Sequence, residues 1–157
     1  MTTEVEFHTG IADPVDFVCR LLRKAYRKGA RVLVTAPAPL LSELDAALWA
    51  FEPAEFVPHL RQAGMLDSRP AELAARTPIW LSESPLPSTE AFAAPRVVVN
   101  VGAAAHPRPA ELERLIEIVG VDPAAVEQGR GRWRDYRAAG LQVIHHNARQ
   151  AAVHERG

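Results

Sequence analysis

The sequence contains one cysteine, few aromatic residues and no long apolar run. With Cys19 alone, no disulfide can form within the chain, and a reducing compartment is indicated. No apolar run approaches the roughly 20 residues that cross a bilayer as a helix. The opening stretch MTTEVEFH lacks the basic and apolar regions of a signal peptide. We therefore expect a cytoplasmic protein with no membrane partner.

An excess of charge of one sign is also absent. The 18 lysines and arginines are offset by 19 acidic residues, which gives a formal net charge of −1. Proteins that coat nucleic acid usually carry an overall basic excess, so that class is disfavoured and any contact with an anion requires a local patch. A chain of 157 residues fits one domain. We place this domain at 1–147, followed by a helical or frayed tail at 148–157.

Apolar periodicity and turn residues predict strands that alternate with helices. Continuous apolar runs such as RVVVNVG are typical of strands buried on both faces of a parallel sheet. Asp13 and Pro14 are suited to begin the first helix, and Gly29 to end it. The fold class is therefore α/β, a three-layer α/β/α sandwich with a mostly parallel central sheet. We predict strands at 3–8, 30–36, 78–83, 96–102 and 141–147, helices at 13–29, 39–51, 106–120 and 122–140, and irregular structure at 55–77.

No nucleotide-binding loop accompanies this α/β pattern. The loop HTGIADP lacks a second glycine at the spacing of a dinucleotide fingerprint, and the chain has no Gly-Lys-Ser/Thr sequence. The loop TAPAPLL is rich in proline, where a phosphate loop needs free amides. An enzyme acting on a nucleotide or phosphorylated substrate is supported by fold analogy alone.

Residues with the spacing of a metal or catalytic site are missing as well. The histidines show no His-Glu-x-x-His pattern, and one cysteine cannot build a zinc site by itself. His145 and His146 are adjacent on a predicted strand and so point to opposite faces. Cys19 lies mid-helix on an apolar face, and no Gly-x-Ser-x-Gly elbow occurs. We predict no metal, no cofactor and no catalytic residue. The six histidines are His8, His59, His106, His145, His146 and His154.

The segment LDAALWAFEPAEFVPH is the first of two candidate binding regions. Trp49 follows Leu44 and Leu48 along a predicted helix, and an apolar cluster outside regular structure comes next. These residues are either core, as aromatic residues usually are, or an exposed apolar patch for a partner protein. The candidate residues are Trp49, Phe56, Val57, Pro58 and His59.

The stretch GRGRWRDYRAAG, at 129–140, is the second candidate. On a helix, Arg130, Arg134 and Arg137 share one face. Two interpretations stand: a solvated helix whose aromatic residues point inward, or a binding site. A flat aromatic ring beside guanidinium groups suits a carboxylate with an apolar neighbour, or a stacked base beside a phosphate. The candidate residues are Arg130, Arg132, Trp133, Arg134, Tyr136, Arg137 and Gly140.

These segments resemble the chi subunit family of bacterial DNA polymerase III holoenzyme. The resemblance is carried by LDAALWAFEPAEFVPH, RVVVNVG, RWRDYRAAG and the KGARVLV that leads into the second strand. It covers about 7–141 and leaves out 61–77 and the residues beyond 147. The first segment is the most specific. One departure is Trp133, which stands where a tyrosine is expected.

The resemblance implies a non-catalytic adaptor of the replicative clamp loader. Members of the family bind the acidic C-terminal tail of the single-stranded-DNA-binding protein, which has several aspartates and ends in Ile-Pro-Phe. The basic-aromatic helix corresponds to the tail-binding region: the four arginines are candidates for the carboxylates, and Trp133 and Tyr136 for walls of the phenylalanine pocket. The Trp49 segment corresponds to the surface that faces the psi subunit. DNA would be contacted only indirectly. Direct binding of single-stranded nucleic acid by the same patch is the alternative.

Overall fold

The described residues form an α/β domain built on one seven-stranded sheet. The computed structural model describes residues 3–50, 57–61, 77–86, 88 and 93–148. The strands are β1 (Glu4–Ile11), β2 (Val32–Thr35), β3 (His59–Arg61), β4 (Ile79–Ser82), β5 (Val97–Asn100), β6 (Arg114–Gly120) and β7 (Val143–Asn147), and the α-helices are α1 (Pro14–Arg27), α2 (Ala38–Ala50) and α3 (Pro123–Ala138).

The sheet has the order β3-β4-β2-β5-β6-β1-β7, and every recorded strand pair is parallel. One apolar cluster joins a face of the sheet to α1 and α2, and a second cluster joins the other face to α3. Strand β6 shows the alternation, since Ile116 and Ile118 belong to the first cluster while Leu115 and Val119 belong to the second. The predicted three-layer sandwich with a mostly parallel sheet is confirmed.

Local signals at the start of α1 work as predicted. The Asp13 carboxylate accepts a hydrogen bond from the Asp16 amide at 3.1 Å, Pro14 occupies the first turn, and Gly29 follows the helix with φ +75°. Cys19 lies on the buried face of this helix. Burial, then the nearby Asp16 and Asp13 carboxylates, raises the pKa of its thiol to about 11. The thiol is therefore protonated at neutral pH, as expected of a structural cysteine.

The predicted third helix, 106–120, is wrong. Its prediction came from Leu112, Leu115, Ile116 and Val119, which recur at helical spacing. The structure instead has a short 3₁₀ turn at Pro109–Glu111 and then strand β6. Positions 115–119 are all buried, as in a strand covered on both faces. Pairing with β5 and β1, together with the β-branched side chains in the run, overrides the helical period.

Strand β3 lies in the segment predicted to be irregular. It is three residues long and pairs with β4 at the edge of the sheet. A strand this short carries no usable periodicity, so only the pairing reveals it. Residues 55–56 and 62–76 of that segment lie outside the described residues, as does the 149–157 part of the predicted tail.

Helix α3 is held close to β6 by a glycine. A Cβ atom at Gly129 would lie 3.0 Å and 3.2 Å from the two Cγ atoms of Val119, whereas a Cβ at Gly131 would meet no atom of the described residues within 4 Å. Asp122 caps the start of the helix through the Ala125 amide at 3.2 Å. At its end, the Gly140 and Leu141 amides donate to Arg137 and Tyr136 carbonyls, a glycine-terminated helix end.

Alanine substitutions at the two glycines therefore separate packing from helix propensity. We expect Gly131→Ala to increase the free energy of unfolding by about 0.5–1 kcal/mol, because alanine favours a helix over glycine. We expect Gly129→Ala to decrease it by about 1 kcal/mol, because crowding against a branched core side chain exceeds that gain. Urea unfolding measures both. An increase of equal size in both variants would contradict the close approach of α3 to β6.

Candidate functional site

An open groove lies between α3 and the carboxyl ends of β1, β6 and β7. Its volume is about 690 Å³, within the range of small-ligand sites. Phe7, Val119 and Val126 supply apolar lining, and Arg130 and Arg134 of α3 lie at its edge. The full lining is Phe7, Thr9, Gly10, Val119, Gly120, Val121, Val126, Gly129, Arg130, Trp133, Arg134, His145 and Asn147.

Arg130 and Arg134 form the cationic rim of the groove. They lie one turn apart on α3, and their side chains are 72% and 73% exposed. Each guanidinium is near the equally exposed Glu127, at 3.7 Å and 4.0 Å. Such long, exposed ion pairs are weak. Both arginines can therefore turn toward an anionic ligand at little cost.

Trp133 forms an aromatic wall of the groove. Its ring meets the Phe7 ring edge-on at 5.0 Å between centroids and the His145 ring at 5.6 Å. His145 is placed by Thr9, whose hydroxyl oxygen lies 2.6 Å from the His145 Nε2 atom. These contacts leave Trp133 partly buried, so it lines the groove and does not project into solvent.

Arg132 and Tyr136 have a different environment from the rim. Arg132 Nε donates to the Glu117 Oε2 atom at 2.8 Å, and the Tyr136 hydroxyl donates to Glu117 Oε1 at 2.6 Å. Both side chains are buried beneath the helix. Both residues were predicted to contact a ligand, but their side chains point toward the sheet. In the structure they attach α3 to β6.

Glu117 is the centre of this buried polar cluster. It is fully buried and also accepts a hydrogen bond from Asn100 Nδ2 at 3.0 Å. Asn100 in turn accepts from the Thr35 hydroxyl at 2.9 Å, and the Tyr136 hydroxyl accepts from the His106 amide at 3.1 Å. The cluster connects three neighbouring strands, the loop after β5 and α3 in one continuous network.

Burial dominates the electrostatics of the cluster. It raises the pKa of the Glu117 carboxyl, while the Arg132 charge and the hydrogen bonds from Tyr136 and Asn100 act in the opposite direction. Burial, followed by the neighbouring Glu117, raises the pKa of the Tyr136 hydroxyl. Tyr136 therefore stays protonated and keeps donating to Glu117.

Two further predicted residues lie at the end of α3. Arg137 is exposed in the last helical turn and continues the line of Arg130 and Arg134 beyond the groove lining. Gly140 follows the helix with φ +86°, a conformation that favours glycine. Gly140 therefore terminates α3 and does not line the groove.

The other candidate region lies at the far end of the sheet. Trp49, the penultimate residue of α2, is 64% exposed, and its ring is 5.4 Å from that of His59. His59 is buried, with Nε2 3.0 Å from an Asp45 carboxylate oxygen and Nδ1 2.8 Å from the Val57 carbonyl. Trp49 is thus an exposed aromatic side chain that packs on the buried His59.

The remaining residues of that region have mixed environments. Val57 is buried and Pro58 is half-buried, while Phe56 lies outside the described residues. His59 begins β3, so the apolar cluster is only partly outside regular structure. Of the five candidates, the structure presents Trp49 as an exposed aromatic side chain.

Several groove residues were missed by sequence reasoning. Phe7, Thr9 and His145 come from strands more than 100 residues apart in the chain, and only the β1–β7 pairing brings them together. Glu117 was missed because its segment was predicted to be a helix. A charged residue inside a continuous apolar run, as in LIEIV, was the available signal, because a buried carboxylate requires partners.

The fold and the groove define an α/β sandwich domain that is suited to a ligand with both negative charge and apolar surface. Residues 1–144 match the family described as DNA polymerase III chi subunit, HolC. The chain is also 30% identical over 149 residues to DNA polymerase III subunit chi of Pseudomonas aeruginosa, covering 92% of this chain and 96% of that protein.

The chain therefore belongs to the chi subunit family of DNA polymerase III. The resemblance seen in the sequence is confirmed, and it places the chain in DNA replication. Among helices in the described part of the chain, none is both long and apolar enough to cross a membrane.

The Glu117 cluster predicts unequal effects for two arginines of α3. We expect Arg132→Met to lower the free energy of unfolding by about 3–5 kcal/mol, because it leaves a buried carboxylate without its cation. Arg130→Met is the matched control on the same helix, and we expect a loss below about 1 kcal/mol there. Denaturant unfolding measures both. Equal, small losses would show that Arg132 is not structural.

Proposed function

We propose that this protein is a non-catalytic adaptor of the DNA polymerase III holoenzyme. In this proposal the groove beside α3 binds the acidic C-terminal tail of the single-stranded-DNA-binding protein, and the Trp49 surface binds the psi subunit of the clamp loader. The protein would act in the cytoplasm and contact DNA only through the protein it holds. The observation that carries the proposal is the pairing of a cationic rim with an apolar groove.

The chemistry of such a tail matches the groove. A tail that ends in Ile-Pro-Phe presents a terminal carboxylate next to a phenyl ring, with aspartates further upstream. Arg130 and Arg134 supply charge-assisted hydrogen bonds for carboxylates, and Phe7 and Trp133 supply the apolar and aromatic lining. The volume of about 690 Å³ accommodates more than a single side chain, so several terminal residues can enter together.

The candidate residues then divide into two roles. Arg130, Trp133 and Arg134 would contact the tail directly, and the exposed Arg137 would face aspartates one helical turn further along. Arg132 and Tyr136 would act indirectly, because their bonds to Glu117 fix the position of α3. Gly140 would contribute by ending the helix.

Trp133 also separates this proposal from direct binding of single-stranded nucleic acid. Binding through base stacking needs aromatic faces that are open to successive bases. The Trp133 ring is partly buried and has Phe7 and His145 against it. Its position is better suited to form the wall of a peptide pocket.

A titration with a synthetic acidic peptide tests the groove. We expect a peptide ending in Ile-Pro-Phe with a free carboxylate to bind with a micromolar Kd, about −8 kcal/mol or weaker. Arg134→Glu should weaken binding at least tenfold, about 1.4 kcal/mol, and added salt should weaken it further. Isothermal titration calorimetry at low salt measures these values.

Two controls make the result specific. Arg20→Glu makes the same charge change on α1, at a side chain that is 73% exposed, and should bind the peptide like the unmodified chain. The same peptide with a C-terminal amide should bind more weakly, because it lacks the terminal charge. No heat with the free-carboxylate peptide, or tight binding to oligothymidine in its place, would refute the proposal.

The Trp49 surface is argued from exposure. Large apolar side chains at the surface are normal when isolated, but one that packs on hydrogen-bonded neighbours is suited to anchor a protein partner. Trp49 packs on His59, whose Nε2 atom lies 3.0 Å from a carboxylate oxygen of Asp45. We therefore assign the psi contact to Trp49 and the half-buried Pro58, with the buried Val57 and His59 supporting them from beneath. Phe56 is included from the sequence alone.

Substitution of Trp49 should remove partner binding without unfolding the protein. We expect Trp49→Ala to abolish retention of the purified clamp loader of the same bacterium on the immobilised chain, with a melting temperature close to that of the unmodified protein. Tyr26→Ala is the control, since Tyr26 is an exposed aromatic side chain on α1. Full retention by Trp49→Ala would exclude this surface as the contact.

A further inference from the structure

Three potential metal ligands converge on the face of the sheet opposite the groove. Glu6 and His8 of β1 and His146 of β7 each offer a donor atom, and these atoms lie within 4.8 Å of one another. The cluster is separate from the groove and from the Trp49 surface. Among the described residues it is the one cluster of three potential metal ligands.

The backbone of two paired strands creates this convergence. Glu6 and His8 are two residues apart on β1, so they point to the same face. His8 and His146 are register partners across the β1–β7 pair, and their rings are stacked with centroids 4.8 Å apart and planes 20° apart. The third donor is thus presented by a hydrogen-bonded strand and not by a loop.

Glu6 and His8 form a hydrogen-bonded pair whose donor atoms have the spacing of two metal ligands. The Nε2 atom of His8 lies 3.3 Å from the Oε2 atom of Glu6. Two ligand atoms on a tetrahedral zinc ion with bonds of about 2.1 Å are separated by about 3.4 Å. His146 is exposed, so rotation of its side chain can bring its nitrogen to the same distance without disturbing the core.

Two charged neighbours contact Glu6: the Glu4 carboxyl, which shares a side-chain hydrogen bond with it, and Arg114. The Nη2 atom of Arg114 lies 3.0 Å and 2.9 Å from the two oxygens of Glu6. This contact orients the carboxylate, as hydrogen bonds to metal-binding carboxylates commonly do. The guanidinium charge opposes a second cation, but the Arg114 side chain is 45% exposed, where solvent and salt screen it. Oε2 also lies 3.3 Å from His8 Nε2, and an ion bound between these two atoms would replace that contact.

We propose that Glu6, His8 and His146, which sequence spacing did not predict as metal ligands, bind one divalent transition-metal ion of the zinc type. Two imidazoles and one carboxylate suit borderline ions such as Zn²⁺, whereas Mg²⁺ requires mainly oxygen ligands. Three protein ligands leave a coordination position for water. The bound ion would join edge strand β7 to β1 on the face opposite the groove.

Calorimetry with Zn²⁺ tests the proposal directly. The full-length chain, purified without a histidine tag and stripped with a chelator, is titrated in a buffer that does not coordinate metals. We expect one equivalent of Zn²⁺ to bind, Mg²⁺ not to bind, and saturating Zn²⁺ to raise the melting temperature, because an ion that binds only the folded state stabilises it.

The neighbouring histidines of β7 provide a matched pair of variants. His146→Ala should bind Zn²⁺ at least tenfold more weakly and lose the thermal shift, and its exposed position makes unfolding of this variant unexpected. His145→Ala, whose side chain points to the opposite face, should keep the affinity within twofold. The proposal is overturned if the unmodified chain does not bind Zn²⁺, if His146→Ala binds it equally well, or if His145→Ala loses binding to the same extent.

Discussion

The contact between Glu117 and α3 is the constraint on which the groove depends. A fully buried carboxylate is costly unless it is paired and hydrogen-bonded, and here the donors come from Arg132, Tyr136 and Asn100. Arg132 and Tyr136 must both reach Glu117 at the same time, which restricts the rotation of α3 about its axis and its distance from β6. That rotation places Arg132 inward and directs Arg130 and Arg134 toward the groove. Charge buried in the core thereby determines which charges are available at the surface.

Helix α3 thus carries two kinds of arginine, buried and exposed, which sequence spacing does not distinguish. In the stretch RGRWR, Arg132 is buried and paired with Glu117, while Arg130 and Arg134 are exposed and only weakly paired with Glu127. The difference arises because a helix advances about 100° per residue. Gly129 adds a second condition, since the missing side chain allows α3 to approach Val119 closely. Together they make the groove a product of helix–sheet packing and not of a loop.

The layers and most elements of the fold could be predicted from the sequence, because continuous apolar runs and helix caps are local signals. Asp13, Pro14 and Gly29 mark the ends of α1 both in the prediction from the sequence and in the structure. Strand β6 could not be predicted, since Leu115, Ile116 and Val119 satisfy a helical period as well, and pairing between strands is non-local.

The candidate site was predictable only in part. The arginines and Trp133 stand out in the chain, but their partners Phe7, Thr9 and His145 are contributed by distant strands, which no spacing reveals. Whether an arginine points inward depends on a carboxylate in another element. For the same reason, Trp49 could not be distinguished from a core residue before its helix was placed on the sheet.

Strand β7 lies at the end of the sheet and hydrogen-bonds to β1 alone among the strands described. Edge elements of this kind detach at a lower free energy than the core, so local opening is expected to begin there. Because His145 and Asn147 line the groove from this strand, detachment of β7 from β1 would also change the width of the groove. A ligand that contacts both α3 and β7 would therefore stabilise the attached strand, and amide hydrogen exchange in β7 would become slower.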